Sequence, residues 1–155
     1  MINVVLYQPE IPHNTGAIGR LCLGAGARLH LIEPLGFSLD DRHLKRAGLD
    51  YWKEVDVRQW ASWEALESEI PAGAPIFFLT SKATQAHWDA PMGGDDVWLV
   101  FGPETRGLPE SMLRRHAEHS LTIPMQGTRS LNLATAVAIV LFESVRQRSQ
   151  IVGGA

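Results

Sequence analysis

"LVFGPETRGLP", residues Leu99–Pro109, carries an apolar run into a loop holding two glycines and two prolines around Glu104 and Arg106. A plain turn needs fewer constrained residues. A loop that presses its backbone against a ligand uses glycine for close approach and proline for rigidity. The stretch therefore predicts a buried strand whose carboxyl end opens into a binding loop, the arrangement of an open α/β sheet.

The pattern repeats outward from there. "INVVLY" (Ile2–Tyr7), "RLHLI" (Arg28–Ile32), "IFFLT" (Ile76–Thr80), "VWLVFG" (Val97–Gly102) and the short "LTIP" (Leu121–Pro124) read as strands. Helices are predicted between them. One starts with Asn14 as N-cap and runs to Gly24 and Gly26. A short one is capped by Ser38, with Asp41 at the capping-box position and Gly48 as its stop. Others cover Ser62–Ile70 and Pro109–Ala117, and the last runs from Asn132 to Arg148. Apolar strands alternating with helices imply an α/β domain with a mostly parallel sheet. The 155 residues suffice for one domain, with a frayed tail expected over 150–155.

Composition narrows the function. The chain is 45% hydrophobic, with no run of membrane-spanning length and no basic segment before its first apolar stretch. Its single cysteine, Cys22, excludes an internal disulfide and a cysteine-built metal site, and a cytoplasmic location is expected. The six histidines show no metal spacing, so no metal is expected. A net charge of −3 argues against a protein that coats nucleic acid. Local basic patches remain: Arg42, His43, Lys45 and Arg46; then Arg114–His116; then Arg146 and Arg148. They are either solvated helix faces or contacts for an anionic partner.

No G-x-G-x-x-G follows the first strand, and Walker A, H-E-x-x-H and G-x-S-x-G motifs are missing. The special backbone clusters late instead. "LTSK" (Leu79–Lys82), "FGPETRGLP" (Phe101–Pro109) and "IPMQGTRSLNLATA" (Ile123–Ala136) each follow a predicted strand end. The third leads into a helix N-terminus, whose free N–H groups suit a polar ligand. A fourth piece is "NTGAIGR" (Asn14–Arg20). Ile18, Leu21, Cys22 and Ala25 share its core face, and Arg20 falls on the far side, one turn after Gly16. Bare backbone at Gly16 would let a substrate come close to the guanidinium. "LATAVAIVLFESV" in the last helix is apolar nearly all round, so it lies deep in its own domain or packs on a second subunit.

"HNTGAIGR", "LVFGPETRGLP" and "IPMQGTRSLNLATAVAIVLFE" together resemble the three motifs of the SPOUT class of RNA methyltransferases. "MINVVLYQPEIPHNTG" and "RLHLIEPLGFSLDDRHLKRAGLDYW" are similar to its TrmL (YibK) type, which methylates the ribose 2′-hydroxyl of the tRNA wobble nucleotide. The resemblance covers nearly the whole chain.

It implies an α/β fold with a deep trefoil knot in the C-terminal half, S-adenosylmethionine as cofactor, no metal, and a homodimer that binds the anticodon stem-loop of tRNA, leucine tRNAs among them. Carried over by position, the cofactor falls on Leu79, Gly102, Ile123 and Ser130, with Met125 and Leu131 as their neighbours in the site. Arg20 and Asn132 are the implied catalytic residues; Asn14, Arg42, Lys45 and Arg46 face the RNA. A guanidinium ordinarily keeps its proton, so a stabiliser of the forming alkoxide or a phosphate clamp suits Arg20 better than a base. Glu104 has two readings, fixing its loop or acting in the site. The rival functions are 2′-O-methylation of another RNA, such as ribosomal RNA, and a binding module for RNA or an adenosyl ligand without turnover.

Overall fold

The computed structural model describes residues 1–47 and 49–153. Among them, six strands form one parallel sheet in the order β3-β2-β1-β5-β4-β6. In chain order the elements are β1 (Ile2–Tyr7), α1 (Pro12–Ala25), β2 (Arg28–Ile32), α2 (Arg42–Ala47), β3 (Val57–Trp60), α3 (Trp63–Glu67), β4 (Ile76–Leu79), β5 (Val97–Phe101), α4 (Glu110–Arg115), β6 (Ser120–Leu121) and α5 (Leu133–Gly153). Short 3₁₀ helices lie at Leu49–Glu54, His87–Asp89 and Ala117–His119.

The two central strands are the most apolar. β1 pairs with β2 and β5, with Val4 set between Leu29 and Leu99. Alternate residues sort to opposite faces. Val4 and Leu6 point to a core shared with Ile18 and Cys22 of α1 and Val137, Val140 and Leu141 of α5. Val5 and Val100 point to the other, with Trp63 and Leu66 of α3 and Met112 of α4. Each such side chain contributes roughly 1.5–3 kcal/mol of burial free energy, and both faces are covered, as a parallel sheet requires.

Several boundaries depart from sequence expectation; α3 and α4 stop short of their predicted ends, at Glu67 and Arg115, and four others are larger or have a visible cause. α1 opens at Pro12, not Asn14: proline sits in its first turn, where no N–H is needed, and Ile11 is the N-cap. α2 opens at Arg42, because the Asp41 carboxylate accepts from the His43 N–H (2.7 Å) while Ser38 Oγ accepts from the Asp40 N–H in the preceding turn (3.2 Å). Gly48, its predicted stop, lies outside the described residues. β6 shrinks to two residues, and one further bridge pairs Thr122 with Ala86. α5 passes its predicted stop and runs to Gly153; Gly154 and Ala155, in the tail expected to fray, lie outside the described residues. An additional strand, β3, has no counterpart in the sequence reading. "VRQW" is an edge strand with Arg58 and Gln59 exposed, so it lacks the apolar run that marks its neighbours.

The C-terminal half of α5 is fastened by side chains that imitate backbone. Gln147 accepts from the Met92 N–H and donates to the Ala90 carbonyl, and the Ser144 hydroxyl donates to the Met92 carbonyl at 2.6 Å. Among the described residues, no helix is long and apolar enough to cross a membrane.

Candidate active site

The chain leaves β1 toward one side of the sheet and leaves β5 toward the other, so the strand order switches direction between these neighbours. The two exiting loops are clamped together there. The Glu104 carboxylate accepts from the N–H groups of Glu10 (2.8 Å) and Ile11 (2.9 Å) and from Asn14 Nδ2 (3.3 Å). In return, the Glu10 carboxylate accepts from the Thr105 N–H (2.9 Å) and its hydroxyl (2.8 Å). These bonds, led by the Thr105 N–H, hold the Glu10 carboxyl below its ordinary pKa. Of the two readings of Glu104, the structural one is met directly: its negative charge closes the positive end of α1 from a loop 93 residues away in the chain.

Beside this clamp, at the carboxyl ends of β4, β5 and β6, lies a cavity of about 360 Å3. Leu79, Gly102, Ile123, Met125, Ser130 and Leu131 all line it, so the six residues assigned to a cofactor converge on one space. A second depression, about 440 Å3, runs beside it along α4 and shares Thr80, Lys82 and Leu113, but none of those six lines it. The first has apolar walls from Leu79, Phe101, Ile123 and Leu131 and polar backbone from two glycine-bearing loops, which suits a purine with a polar tail. Sequence reasoning did not single out Phe101, Leu108 or Ala136 as lining residues. Nor did it assign to the cavity the cations Lys82, Arg106 and Arg129, which also line it. All but Ala136 and Lys82 stand within two residues of a glycine in the quoted loops, the one signal that marks them.

The expectation that Gly102 clears space for a ligand needs correction. A Cβ there would stand 2.4 Å from the Leu108 N and 2.5 Å from the Gly107 carbonyl carbon. The missing side chain lets the loop fold back on its own strand, and Gly107, at φ +70°, supplies the left-handed turn that brings it there. Gly16 is likewise filled from within. Its Cβ would lie 2.1 Å from the Leu44 carbonyl oxygen, so α2, not a substrate, takes the bare backbone.

Asn132 Nδ2 donates to Asn14 Oδ1 at 3.0 Å, and Asn132 Oδ1 accepts from the N–H groups of Ala134 (2.9 Å) and Thr135 (3.3 Å). Asn132 thus caps α5 and ties it to α1. Asn14 is buried, with its amide shared between Asn132 and Glu104. Arg20 is exposed on α1, its guanidinium carbon 5.5 Å from the centre of the Tyr51 ring. Arg42, Lys45 and Arg46 are exposed on α2, which packs on α1, with Lys45 3.8 Å from Asp40. The other basic patches are partly engaged in the fold. Arg146 makes two 2.8 Å bonds to Glu143, and Arg148 donates to the carbonyls of Gly94 and Asp95. Among the described residues, no cluster of three His, Cys, Asp or Glu side chains is placed to hold a metal.

Known proteins match this arrangement along the whole chain. The model of the SpoU rRNA Methylase family matches residues 1–142. A tRNA (cytidine(34)-2′-O)-methyltransferase of Escherichia coli (strain K12) is 51% identical over 150 residues, covering 95% of this chain and 94% of that protein. One of the same name from Methylovorus glucosotrophus is 49% identical over 149 residues, covering 95% and 96%. A solved structure presented as "Structural insights into the 2-OH methylation of C/U34 on tRNA" superposes with a TM-score of 0.91 at 45% identity, covering 100% of this chain and 98% of that one. The SpoU methyltransferase AviRb of Streptomyces viridochromogenes, in complex with AdoMet, superposes at 0.78 with 26% identity, covering 94% of this chain and 57% of that one. With its cavity at the strand ends and its family motifs in place, the chain belongs to the SpoU methylase family.

Proposed function

We propose that this protein transfers the methyl group of S-adenosylmethionine to the ribose 2′-hydroxyl of nucleotide 34, cytidine or uridine, in tRNA, as the names of its relatives describe for them. The observation that carries the reading is the convergence of Leu79, Gly102, Ile123, Met125, Ser130 and Leu131 on one cavity. When bound there, S-adenosylmethionine supplies an electrophilic methyl on sulfur, so the protein's task is alignment and stabilisation of the attacking oxygen. The loops after β4, β5 and β6 hold the cofactor. Arg20 meets the ribose oxygen or the adjacent phosphate, and its planar fork suits either. Asn132 and Asn14 set the distance between α5 and α1. Arg42, Lys45 and Arg46 extend a basic track for the phosphates of an anticodon stem-loop.

Two further features belong to this reading. A deep trefoil knot in the C-terminal half belongs to the fold this reading expects; in the structure the chain returns from edge strand β6 through the cavity loop to α5, which packs on α1 and β1. The site is completed by a second copy of the chain, a reading supported by Ile139 and Phe142, large apolar side chains that α5 leaves exposed. Such an enzyme works in the cytoplasm, where leucine tRNAs are the first substrates to try.

The test is incubation with labelled S-adenosylmethionine and total RNA, tRNA and ribosomal RNA together, followed by mapping of the methylated nucleotide. Label at the ribose of nucleotide 34 is the expected result; label only in ribosomal RNA, or cofactor binding without transfer, overturns it. Arg20→Ala should keep cofactor affinity and lose on the order of 10²-fold or more in single-turnover rate.

A further inference from the structure

We propose that Tyr51 is a positioning residue for Arg20, its ring holding the guanidinium where the RNA ribose is presented. The inference rests on the role given to Arg20 above. Tyr51 lies on the 3₁₀ helix Leu49–Glu54, 31 residues from Arg20 in the chain, yet the guanidinium carbon stands over its ring at 5.5 Å. That distance is within the range of a cation–π contact. Both groups are at the surface: Arg20 is exposed and Tyr51 retains 44% of its accessible area. The contact is therefore not forced by core packing.

What forces it is the pair of glycines on α1. A Cβ at Gly19 would lie 2.5 Å from the Trp52 ring, and one at Gly16 would strike the Leu44 carbonyl. Only bare helix backbone lets α2 and the following 3₁₀ helix lie flush on α1. Trp52, seated against Gly19, then places its neighbour Tyr51 beside Arg20, one residue further along α1.

The chemistry explains why a ring suits this place. A free arginine on a helix surface samples many rotamers and loses that freedom when a substrate arrives. A carboxylate partner would order it but would also occupy its N–H donors and offset its charge. An aromatic face orders the cation and accepts none of those donors, which stay available for a phosphate or a developing alkoxide. Tyr51 thus acts through Arg20, and its contribution belongs to the rate.

Two variants separate this from other roles. Tyr51→Phe keeps the ring; Tyr51→Leu removes it at a surface site where volume matters little. In single-turnover methylation of tRNA with saturating S-adenosylmethionine, Phe should stay within about twofold of the parent and Leu should lose about tenfold. The tRNA affinity, cofactor affinity and melting temperature of the Leu variant should be unchanged. The proposal is overturned by equal losses in Phe and Leu, by a normal rate in Leu, by a defect confined to tRNA affinity, which would make the ring a base-stacking surface, or by lowered melting or cofactor affinity, which would make it structural. Arg20→Ala run alongside distinguishes the two levels: a normal rate there sinks the role of Arg20 itself, whereas a slow Arg20→Ala with a normal Tyr51→Leu sinks only this inference.

Discussion

Single residues in this molecule show how a motif position and its physical reason can separate. Gly102 stands in the loop that motif reading assigns to the cofactor, and it does line the cavity. Its lack of a side chain, however, serves the contact with Gly107 and Leu108, where a Cβ would sit 2.4 Å from a backbone nitrogen. Backbone cannot step aside as a flexible side chain can. Gly102→Val should therefore abolish S-adenosylmethionine binding by displacing the 103–108 loop, and Gly102→Ala should weaken it severely by the same route. Calorimetry reads the binding, and amide exchange across residues 103–108 reads the cause. If the valine variant kept normal exchange there while losing the ligand, direct obstruction of the pocket would be the better account.

At the scale of elements, the long apolar strands were legible because their runs can only be buried, and the loops after them because glycine and proline mark them. What the sequence could not show is which groups from distant segments satisfy each other. Asn14 looks like an N-cap, because Asn is a good one and a helix follows. The true start lies at Pro12, and the acceptor for the preceding N–H groups is Glu104, which no local pattern connects to α1. β3 was hidden for a similar reason: an edge strand with two exposed polar residues is stabilised by its neighbour β2, not by its own composition. The six residues expected at a cofactor line one cavity, a convergence the motifs made legible, whereas the seat of Tyr51 depends on two glycines and a tryptophan meeting across helices. The Glu104 clamp yields a direct test. Glu104→Ala removes the acceptor of two backbone N–H groups and a negative charge at a helix start, at a cost of about 1–2 kcal/mol. Thermal melting should fall by several degrees. Glu104→Gln, with one carbonyl left to accept, should fall between the alanine variant and the parent; an unchanged melt in both would mean that the clamp contributes nothing to stability.

Across the whole molecule, one buried polar chain spans the sheet from β3 to the start of β5. Trp60 Nε1–H donates to His30 Nδ1 at 3.0 Å, which leaves Nε2 to carry the proton toward Asn3 Oδ1 at 2.9 Å; Asn3 Nδ2 donates to Asp96 at 3.0 Å. Burial, aided by the charges of Arg28 and Arg58, pushes the His30 pKa down to about 4 from 6.5. The unfolded chain therefore takes up a proton between these values and the native chain does not, so the stability that His30 contributes is fully present above about pH 6.5 and is lost as pH drops toward 4. The loss from this residue is on the order of 3 kcal/mol. Urea midpoints should decline over that window, and His30→Phe should decline less steeply; an identical slope in that variant would remove His30 from the pH dependence.

A second copy of the chain, as proposed above, needs an exposed apolar face to sit on. Val137 and Leu141 look like interface residues in an all-apolar helix, but both are fully buried against the sheet of their own chain. Glutamate there would unfold the protomer and say nothing about association. The stripe left outside is Thr135, Ile139 and Phe142, spaced four and three apart on one face of α5. Ile139 is 38% exposed and Phe142 43%, and the cavity residue Leu131, 37% exposed, lies four residues before Thr135. A second copy seated on this stripe would cover these apolar side chains and, in the proposed reading, complete the active site. Phe142→Glu and Ile139→Glu should give folded monomers by light scattering, with helical circular dichroism retained and methyl transfer lost. A mixture of either monomer with Arg20→Ala protein would not regain activity. A parent protein that is monomeric at micromolar concentration, or a Phe142→Glu protein that stays dimeric, would remove this face of α5 from the assembly.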